Sequence, residues 1–516
     1  VNEIDTLGRL NRLALFEAWF RDRAYEREDF TRLYPGGDET EYPLLRVPTA
    51  AIITGRHLGL ELKSPPVFRV QNKGAQDWLT RVLKLNGLRG AMRAAAVQKS
   101  WAGDVGALFA WKPSEQGILG TPWQVGFIAP NTYEVTETYA SGVFKAVDVY
   151  TYADEPNAST GKLERWWTRT QYRHDVLRTW PRVRGDVGTA ARPDAVTFDA
   201  QVVPNRPVVE QRNTLGVIPF VVIQNVTDGT QSWEGVSDYA LRTHLFHRLN
   251  VHLDSVENGE QIRNRLMLAL IDAEDVNVET GGGVTALRVN SREDGTTDRG
   301  AQLISTPLLG GGGGTQLTLF EKLLDLTLES AGVAQVGGAN EIFGNEAASS
   351  SALQTFYAAQ TAVAEHKRFN WLGERPDYGM SALVRKLFTA AQAVDRNAPF
   401  TDVDLARDEF DLKLDWSPMF ALSAPERQTL GSVAQQANDD GLPPEDIAPV
   451  WAQALGREGL DVIGRIVAAL KKRQDMAALG APLRASGEQA TGGILGSGQG
   501  DGLLPNGGSA TRTANP

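Results

Sequence analysis

Two leucine-rich stretches with a helical period, held apart by a strand-like segment, constrain this chain more than any other feature. Leu241, Leu245, Leu249, Leu253 and Val256 step by three or four residues between Ser237 and about Gln261. Leu317, Phe320, Leu324 and Leu328 repeat the pattern from Thr315 to Ser330. Side chains at that spacing share one face of an α-helix, so each stretch predicts an amphipathic helix. Between them, Leu266–Ile271, Val284–Val289 and Leu303–Ile304 are short and apolar, while Gly281–Gly283 and Arg292–Gly295 are turn material. The predicted order is helix, small β insert, helix.

Five consecutive glycines, Gly310–Gly314, close the insert. A phosphate cradle needs backbone N–H groups at a helix N-terminus and a Lys that reaches the outer phosphates. Thr315 and Gln316 stand where Lys and Ser or Thr belong, and Lys322 lies too far inside the helix. A hinge between insert and helix is therefore expected, with a nucleotide-binding enzyme using residues 310–314 as the alternative. His244, His247 and His252 fall on one predicted helix, and the first two share a face. No HExxH pattern or facing acid accompanies them, and Arg248 opposes a cation. Asp272, Glu274 and Asp275 lack the EF-hand spacing and read as a charged edge or docking surface. No GxSxG elbow is present, and Gly496–Gly500 has no strand before it. The absence of cysteine removes disulfides, thiolate zinc sites and Cys nucleophiles. No catalytic constellation emerges, so no enzyme activity, metal or cofactor is expected.

The rest of the chain alternates the same two periods. Leu7, Leu10, Leu13, Phe16, Trp19 and Phe20 predict a helix that stops near Tyr34–Gly37. Ala50–Leu62 is a second apolar segment, and residues 75–100 predict two further helices. From Val105 a meander of strands is predicted at 106–111, 123–128, 133–138, 144–150, 164–170 and 217–223. Trp166 and Trp167 point to opposite sides of one strand, so at most one is core. Residues 181–205 read as a polar surface loop. Ser349–Ser351 offer N-caps for a long helix through Leu353, Phe356, Val363, Phe369 and Trp371. Gly373 and Pro376 should break or kink it before Leu383–Ala391. Asp408–Trp416 alternates as a strand, 424–472 returns to helices, and the tail from Gly480 is too poor in large hydrophobes to order.

At 516 residues, two to four packed units are expected. No apolar run reaches the roughly 18 residues of a membrane helix, and Val1–Asp5 predicts no secretion signal. A net charge of −11 argues against a wide basic face that grips nucleic acid. It leaves open a protein past which nucleic acid must slide.

In their order and spacing these elements resemble the portal proteins of tailed double-stranded DNA bacteriophages, particularly the long-tailed-phage type. Ile218-Pro-Phe-Val-Val-Ile-Gln-Asn225, with Gly235-Val-Ser-Asp238 and Leu249-Asn250, resembles that family's strand, turn and first stem helix. Ser351-Ala-Leu353 through Lys367-Arg368-Phe369 is similar to the start of its long helix, with Ser350 a departure from the Ser-Gly-Ala-Leu of many relatives. Leu414–Pro418, Ser423–Gln428 and Gly441–Glu445 resemble its final strand and helical crown. The similarity spans residues 5–472.

The resemblance implies an α+β, mainly helical portal fold with wing, stem, clip and crown regions, assembled as a ring. Residues 1–235 would be the wing, 236–262 the first stem helix, 263–314 the clip and 315–332 the second stem helix. Residues 333–350 would be the tunnel loop, 351–420 the long kinked helix and wing strand, 421–475 the crown and 476–516 a disordered tail. It further implies a dodecamer at one capsid vertex of the virion, put together in the host cytoplasm, with no membrane. DNA driven by the large subunit of terminase would pass through it, a head–tail adaptor or tail would attach, and major capsid or scaffolding protein would surround it. By the same resemblance, Asn340, Glu341, Ile342, Phe343 and Asn345 of the tunnel loop would contact DNA. Asp272, Glu274, Asp275 and Arg292 would form the docking surface of the clip. Another virion connector protein is the alternative among structural proteins.

Overall fold

The computed structural model describes residues 8–26, 43, 45–115, 120–157, 161–185, 192–227, 232–264, 267–270, 275–281, 284–290, 301–304, 312–333, 357–373, 375–395, 398–400, 410–417, 419–420, 424–440, 442–455 and 463–472. The fold is α+β. Two compact units divide the chain, Val1–Ser423 and Ala424–Pro516.

The first unit opens with α1 (Arg9–Phe20), which turns Leu13, Leu15, Phe16 and Trp19 inward. It stops short of the expected Tyr34–Gly37, a segment outside the described residues. Then come α2 (Thr49–Glu61), β1 (Val67–Arg69), α3 (Lys73–Leu85) and α4 (Leu88–Ala102). Asn72 starts α3 by accepting a hydrogen bond from the N–H of Ala75, satisfying one of the helix's free donors. Gly103, at φ 98°, turns α4 into β2 (Asp104–Trp111). A Cβ on Gly103 would stand 2.3 Å from the carbonyl oxygen of Gly235, so two backbones meet where neither carries a side chain.

The strands between 104 and 224 form two sheets rather than one meander. In the first, β2 lies between β3 (Trp123–Ile128) and β10 (Phe220–Gln224), antiparallel to both. All five residues of β10 are buried, as a strand covered on both faces requires. The helices α3, α4 and α9 (Gly379–Val394) supply its core with Leu79, Met92 and Leu387 against Val105, Trp123 and Val221. The second sheet runs β4 (Tyr133–Thr138), β5 (Phe144–Pro156), β6 (Leu163–Tyr172), β7 (Val176–Thr179), β9 (Val209–Arg212), with β8 (Val183–Gly185) also on β6. Trp167 is buried and Trp166 is not, as strand alternation predicts. The expected surface loop at 181–205 instead contains β8 and the short helix α5 (Ala195–Ala200). Its one aromatic residue, Phe198, is fully buried beside Tyr150, and Val183 joins the same cluster, enough to anchor a polar segment that carries no periodic signal.

The helix pair follows. α6 (Thr243–Asn264) and α7 (Gly312–Ser330) pack on each other. Between them β11 (Met267–Leu270) pairs with β14 (Ala301–Ile304), and β12 (Asp275–Gly281) pairs with β13 (Val284–Asn290). Gly281 opposes Val284, which leaves a two-residue link inside the predicted turn. Two boundaries differ from expectation. Leu241 precedes α6 instead of opening its stripe; it is exposed, with φ 65°. The glycine run is not wholly a hinge, because Gly312–Gly314 already belong to α7.

α8 (Ala358–Leu372) then packs on α2. It breaks from α9 at Gly373, where φ is 71° and a Cβ would stand 2.2 Å from the carbonyl oxygen of Tyr378. The strand expected over 408–416 shrinks to β15 (Lys413–Asp415), paired with β1; residues 401–409 lie outside the described residues. The second unit holds α10 (Ala424–Asp439), α11 (Pro444–Ala454) and a helix over 463–472, packed through Ala434, Ile447, Ala448 and Leu470. Among the described residues no helix is long and apolar enough to cross a membrane.

Candidate functional site: the helix pair and its polar root

Most residues singled out in the sequence fall outside the described residues: Asn340, Glu341, Ile342, Phe343 and Asn345 of the loop, and Asp272, Glu274 and Arg292 of the insert. Asp275 opens β12, opposite Asn290. The histidines lie on α6. His247 Nδ1 is 3.3 Å from Tyr25 Oη, and burial together with Arg248 pushes the His244 imidazole below its ordinary pKa. Among the described residues no group of acids and histidines is placed to hold a metal ion.

What the sequence did not reveal is the floor on which the helix pair stands. The residues just before α6 and just after α7 meet a fully buried set of charged groups from α2, α4 and α8. Asp238 is its centre. Its Oδ2 accepts from Ser100 Oγ at 2.5 Å and from Lys367 Nζ at 2.5 Å, and its Oδ1 accepts from Asn225 Nδ2 at 2.8 Å. His57 Nε2 donates to Ala331 O, one residue past α7, at 2.9 Å. A carbonyl only accepts, so Nε2 carries a proton. His57 Nδ1 stands 3.0 Å from Lys367 Nζ and 3.1 Å from Asp238 Oδ2. One ring thus reaches both ends of the pair.

A second ion pair lies alongside. Glu61 Oε1 accepts from Lys99 Nζ at 2.6 Å and from the indole of Trp371 at 2.5 Å. The Lys99 ammonium also sits 4.8 Å from the centre of the Trp371 ring. Arg368, next to Lys367 on α8, donates to Leu60 O at 2.8 Å and Glu61 O at 3.1 Å, satisfying carbonyls that the end of α2 leaves free. Thr54 Oγ1 links Ser100 Oγ, at 3.0 Å, to Tyr239 Oη, at 2.7 Å. From outside, Arg242 donates to Asp238 O at 3.0 Å and to Ser330 O, tying the start of α6 to the end of α7.

The electrostatics follow from burial. Side chains of Lys99 and Lys367 are wholly inaccessible, and those of Glu61 and Asp238 nearly so. Burial pushes the Asp238 carboxyl up, but the Lys367 ammonium and His57 beside it outweigh that and hold it well below the usual carboxylate range. Burial pushes the Lys99 ammonium down, and Glu61 only partly restores it. Two carboxylates face two ammonium groups, so the cluster balances its charge internally. Such an arrangement can fix geometry; nothing in it presents a group to a substrate.

The helix pair above this floor keeps apolar side chains in the open: Val251 on α6 and Leu317, Leu319 and Leu326 on α7 are all exposed. Leu319 and Leu326, seven residues and two turns apart, share one face of α7, with Leu317 on the opposite side; exposed apolar side chains grouped like this are a common mark of a protein contact. No protein-family model matches the chain, and no curated protein sequence matches it.

Proposed function

We propose that this chain is the subunit of a portal: a ring at one capsid vertex through which terminase packages DNA, from which DNA is later ejected, and to which an adaptor or tail attaches. The observation that carries the reading is the helix–insert–helix unit. The two helices pack on each other with four short strands between them in sequence, and their near ends carry Phe246, Ala331 and Val333 into an apolar cluster of the body. The exposed leucines on that pair suit repeated contacts between neighbours, since in a cyclic ring one patch on each subunit meets a different patch on the next. In this reading α6 and α7 supply the stem helices (236–262 and 315–332), residues 263–314 with β11–β14 are the clip that docks terminase and adaptor, residues 333–350 the tunnel loop, and residues 421–475 the crown. The acidic balance suits a channel, because a lumen dense in Lys and Arg would hold phosphates at every step.

Ring formation tests the reading. Purified chain is expected to give particles with a central hole and a mass near twelve times 56.1 kDa by mass photometry and negative-stain imaging. Leu326→Glu, which puts a charge into the proposed contact, should shift the mass towards monomer. A parent chain that stays monomeric across concentration and salt overturns the proposal; rings unaffected by Leu326→Glu move the contact elsewhere.

A further inference from the structure

The root of the helix pair is an unusual place for charge. Core positions of α2, α4 and α8 could have carried leucines, and replacing a buried ion pair by apolar residues of similar volume is often neutral or stabilising. Hydrophobic contact is non-directional, whereas each hydrogen bond in the cluster fixes a distance and an angle. The partners here are distributed in a telling way. Asp238 belongs to the entry of α6, Ala331 to the exit of α7, His57 and Glu61 to α2, Lys99 and Ser100 to α4, and Lys367 to α8. The bonds that reach the helix pair therefore begin on three different elements of the body, α2, α4 and α8. The backbone beside it is held in a costly state as well. Leu241 has φ 65°, a left-handed conformation that a non-glycine residue adopts at a price of about 1 kcal/mol or more. It persists where Arg242 is fastened on both sides, to Asp238 O and to Ser330 O.

We propose that the Asp238–Lys367–His57 cluster, with Glu61–Lys99 behind it, is a rigid joint: it sets the direction in which α6 and α7 leave the body, and does so at no net gain in stability. The body is held together elsewhere, by the apolar core around the three-stranded sheet. Asp238 and Lys367 fix the entry of α6; His57 fixes the exit of α7; removing either fastening lets the pair swing while the body stays folded. The joint does not depend on the ring, and would exist in a lone subunit.

The absence of native cysteine makes the test direct. Val251→Cys on α6 with Leu85→Cys at the end of α3 carries two spin labels, both at exposed positions. Pulsed dipolar spectroscopy then reads the distance between helix pair and body, with labelled chains diluted in unlabelled ones to suppress contacts between subunits. A control chain carries labels at Leu85→Cys and Tyr139→Cys, both exposed on the body. In the parent background the Val251–Leu85 distribution is expected to be narrow. The charge-free pair Asp238→Asn with Lys367→Met should broaden it about twofold, leaving the control distribution unchanged. If that variant fails to fold, His57→Leu, which removes the bridge to Ala331 O and the ring's contacts with Asp238 and Lys367 but leaves the Asp238–Lys367 pair in place, is read in the same way. An unbroadened Val251–Leu85 distribution in a folded variant overturns the proposal. So does equal broadening of the control, which would make the cluster ordinary core.

Discussion

The polar root and the six-stranded sheet are both crowded with ion pairs, yet they use charge in opposite ways. At the root the cations are lysines, and neither partner sees solvent. Across the sheet they are arginines except Lys145 with Glu137, and one or both partners are usually wet: Arg165 with Asp154, Arg173 with Glu137, Arg178 with Glu210, Arg182 with Glu155, Arg184 with Glu164, and Arg192 with Glu134. Sheet guanidinium groups also stack on aromatic rings, Arg165 on Tyr152, Arg192 on Tyr150, and Arg169, paired with Asp148, on Trp180. A planar, weakly hydrated guanidinium tolerates that half-wet setting, whereas an ammonium is a compact, strongly hydrated charge that is costly to bury without close acceptors. The difference teaches where geometry is fixed. Sheet pairs neutralise charge at a partly wet surface; root pairs bind elements of the body to each other out of reach of water.

The largest effect should come from splitting a root pair. Lys99→Met leaves the Glu61 carboxylate buried with only the Trp371 indole as donor, and removing one partner of a buried pair costs about 3–5 kcal/mol. Adding Glu61→Gln, which still accepts from Trp371, should recover most of that loss. Urea unfolding of the three chains checks both statements. A loss below about 1 kcal/mol for Lys99→Met would place the root with the surface pairs and erase the contrast.

Legibility in the sequence follows the same division. The helix–insert–helix order, the interrupted helix at Gly373 and the alternation of Trp166 and Trp167 were readable, because each rests on period or on a backbone breaker. Edges were not: β7, β8, β9 and α5 are only three to six residues long, too short to show a period, and Phe198 alone anchors one of them. The root was invisible for a different reason. Its members lie far apart in the chain, Glu61 and Trp371 being separated by 310 positions, and only folding brings them together. One signal could have raised suspicion. Lys99 follows Ala95 and Ala96 on the buried face of α4, and Lys367 lies three residues from Ala364 and four from Trp371 on that of α8. A charge standing at an apolar phase of a helix calls for a buried partner.

Acid titration should separate the two regions by sign. Asp238 has a folded pKa held well below its unfolded value, so its contribution is present above the ordinary carboxylate range and is lost as pH falls through the folded value. Asp148, in the sheet, goes the other way. Burial is the largest influence and raises its carboxyl, with Arg169 and Gln171 only partly opposing. A raised carboxyl binds its proton more tightly when folded, so stability from this group is greatest in acid and falls as pH rises through its titration range. The deficit of Asp238→Asn relative to the parent should therefore grow as pH rises from about 3 to 6, while that of Asp148→Asn should shrink. Unfolding free energies at four or five pH values decide it. Parallel pH profiles for the two variants would mean that burial does not distinguish these carboxylates.

The smallest effect belongs to the outer edge of the sheet. Arg178 Nε stands 2.8 Å from Glu210 Oε1, joining β7 to β9, and more than a third of each side chain is exposed. All four residues of β9 are exposed, so nothing there excludes water from the pair. Coulomb attraction is weak in that setting, both long side chains lose rotamer freedom to form it, and salt screens what remains. Arg178→Ala should change stability by less than about 1 kcal/mol, and by less still at 1 M salt, where the Debye length is about 3 Å. The backbone pairing of Val176–Thr179 with Val209–Arg212 does not require the side chain, so β9 should stay in place. Urea titrations at low and high salt measure the difference. A loss above about 2 kcal/mol that survives high salt would show a solvent-exposed Arg–Glu pair behaving like the buried lysine pairs of the root, and burial would no longer be what separates the two regions.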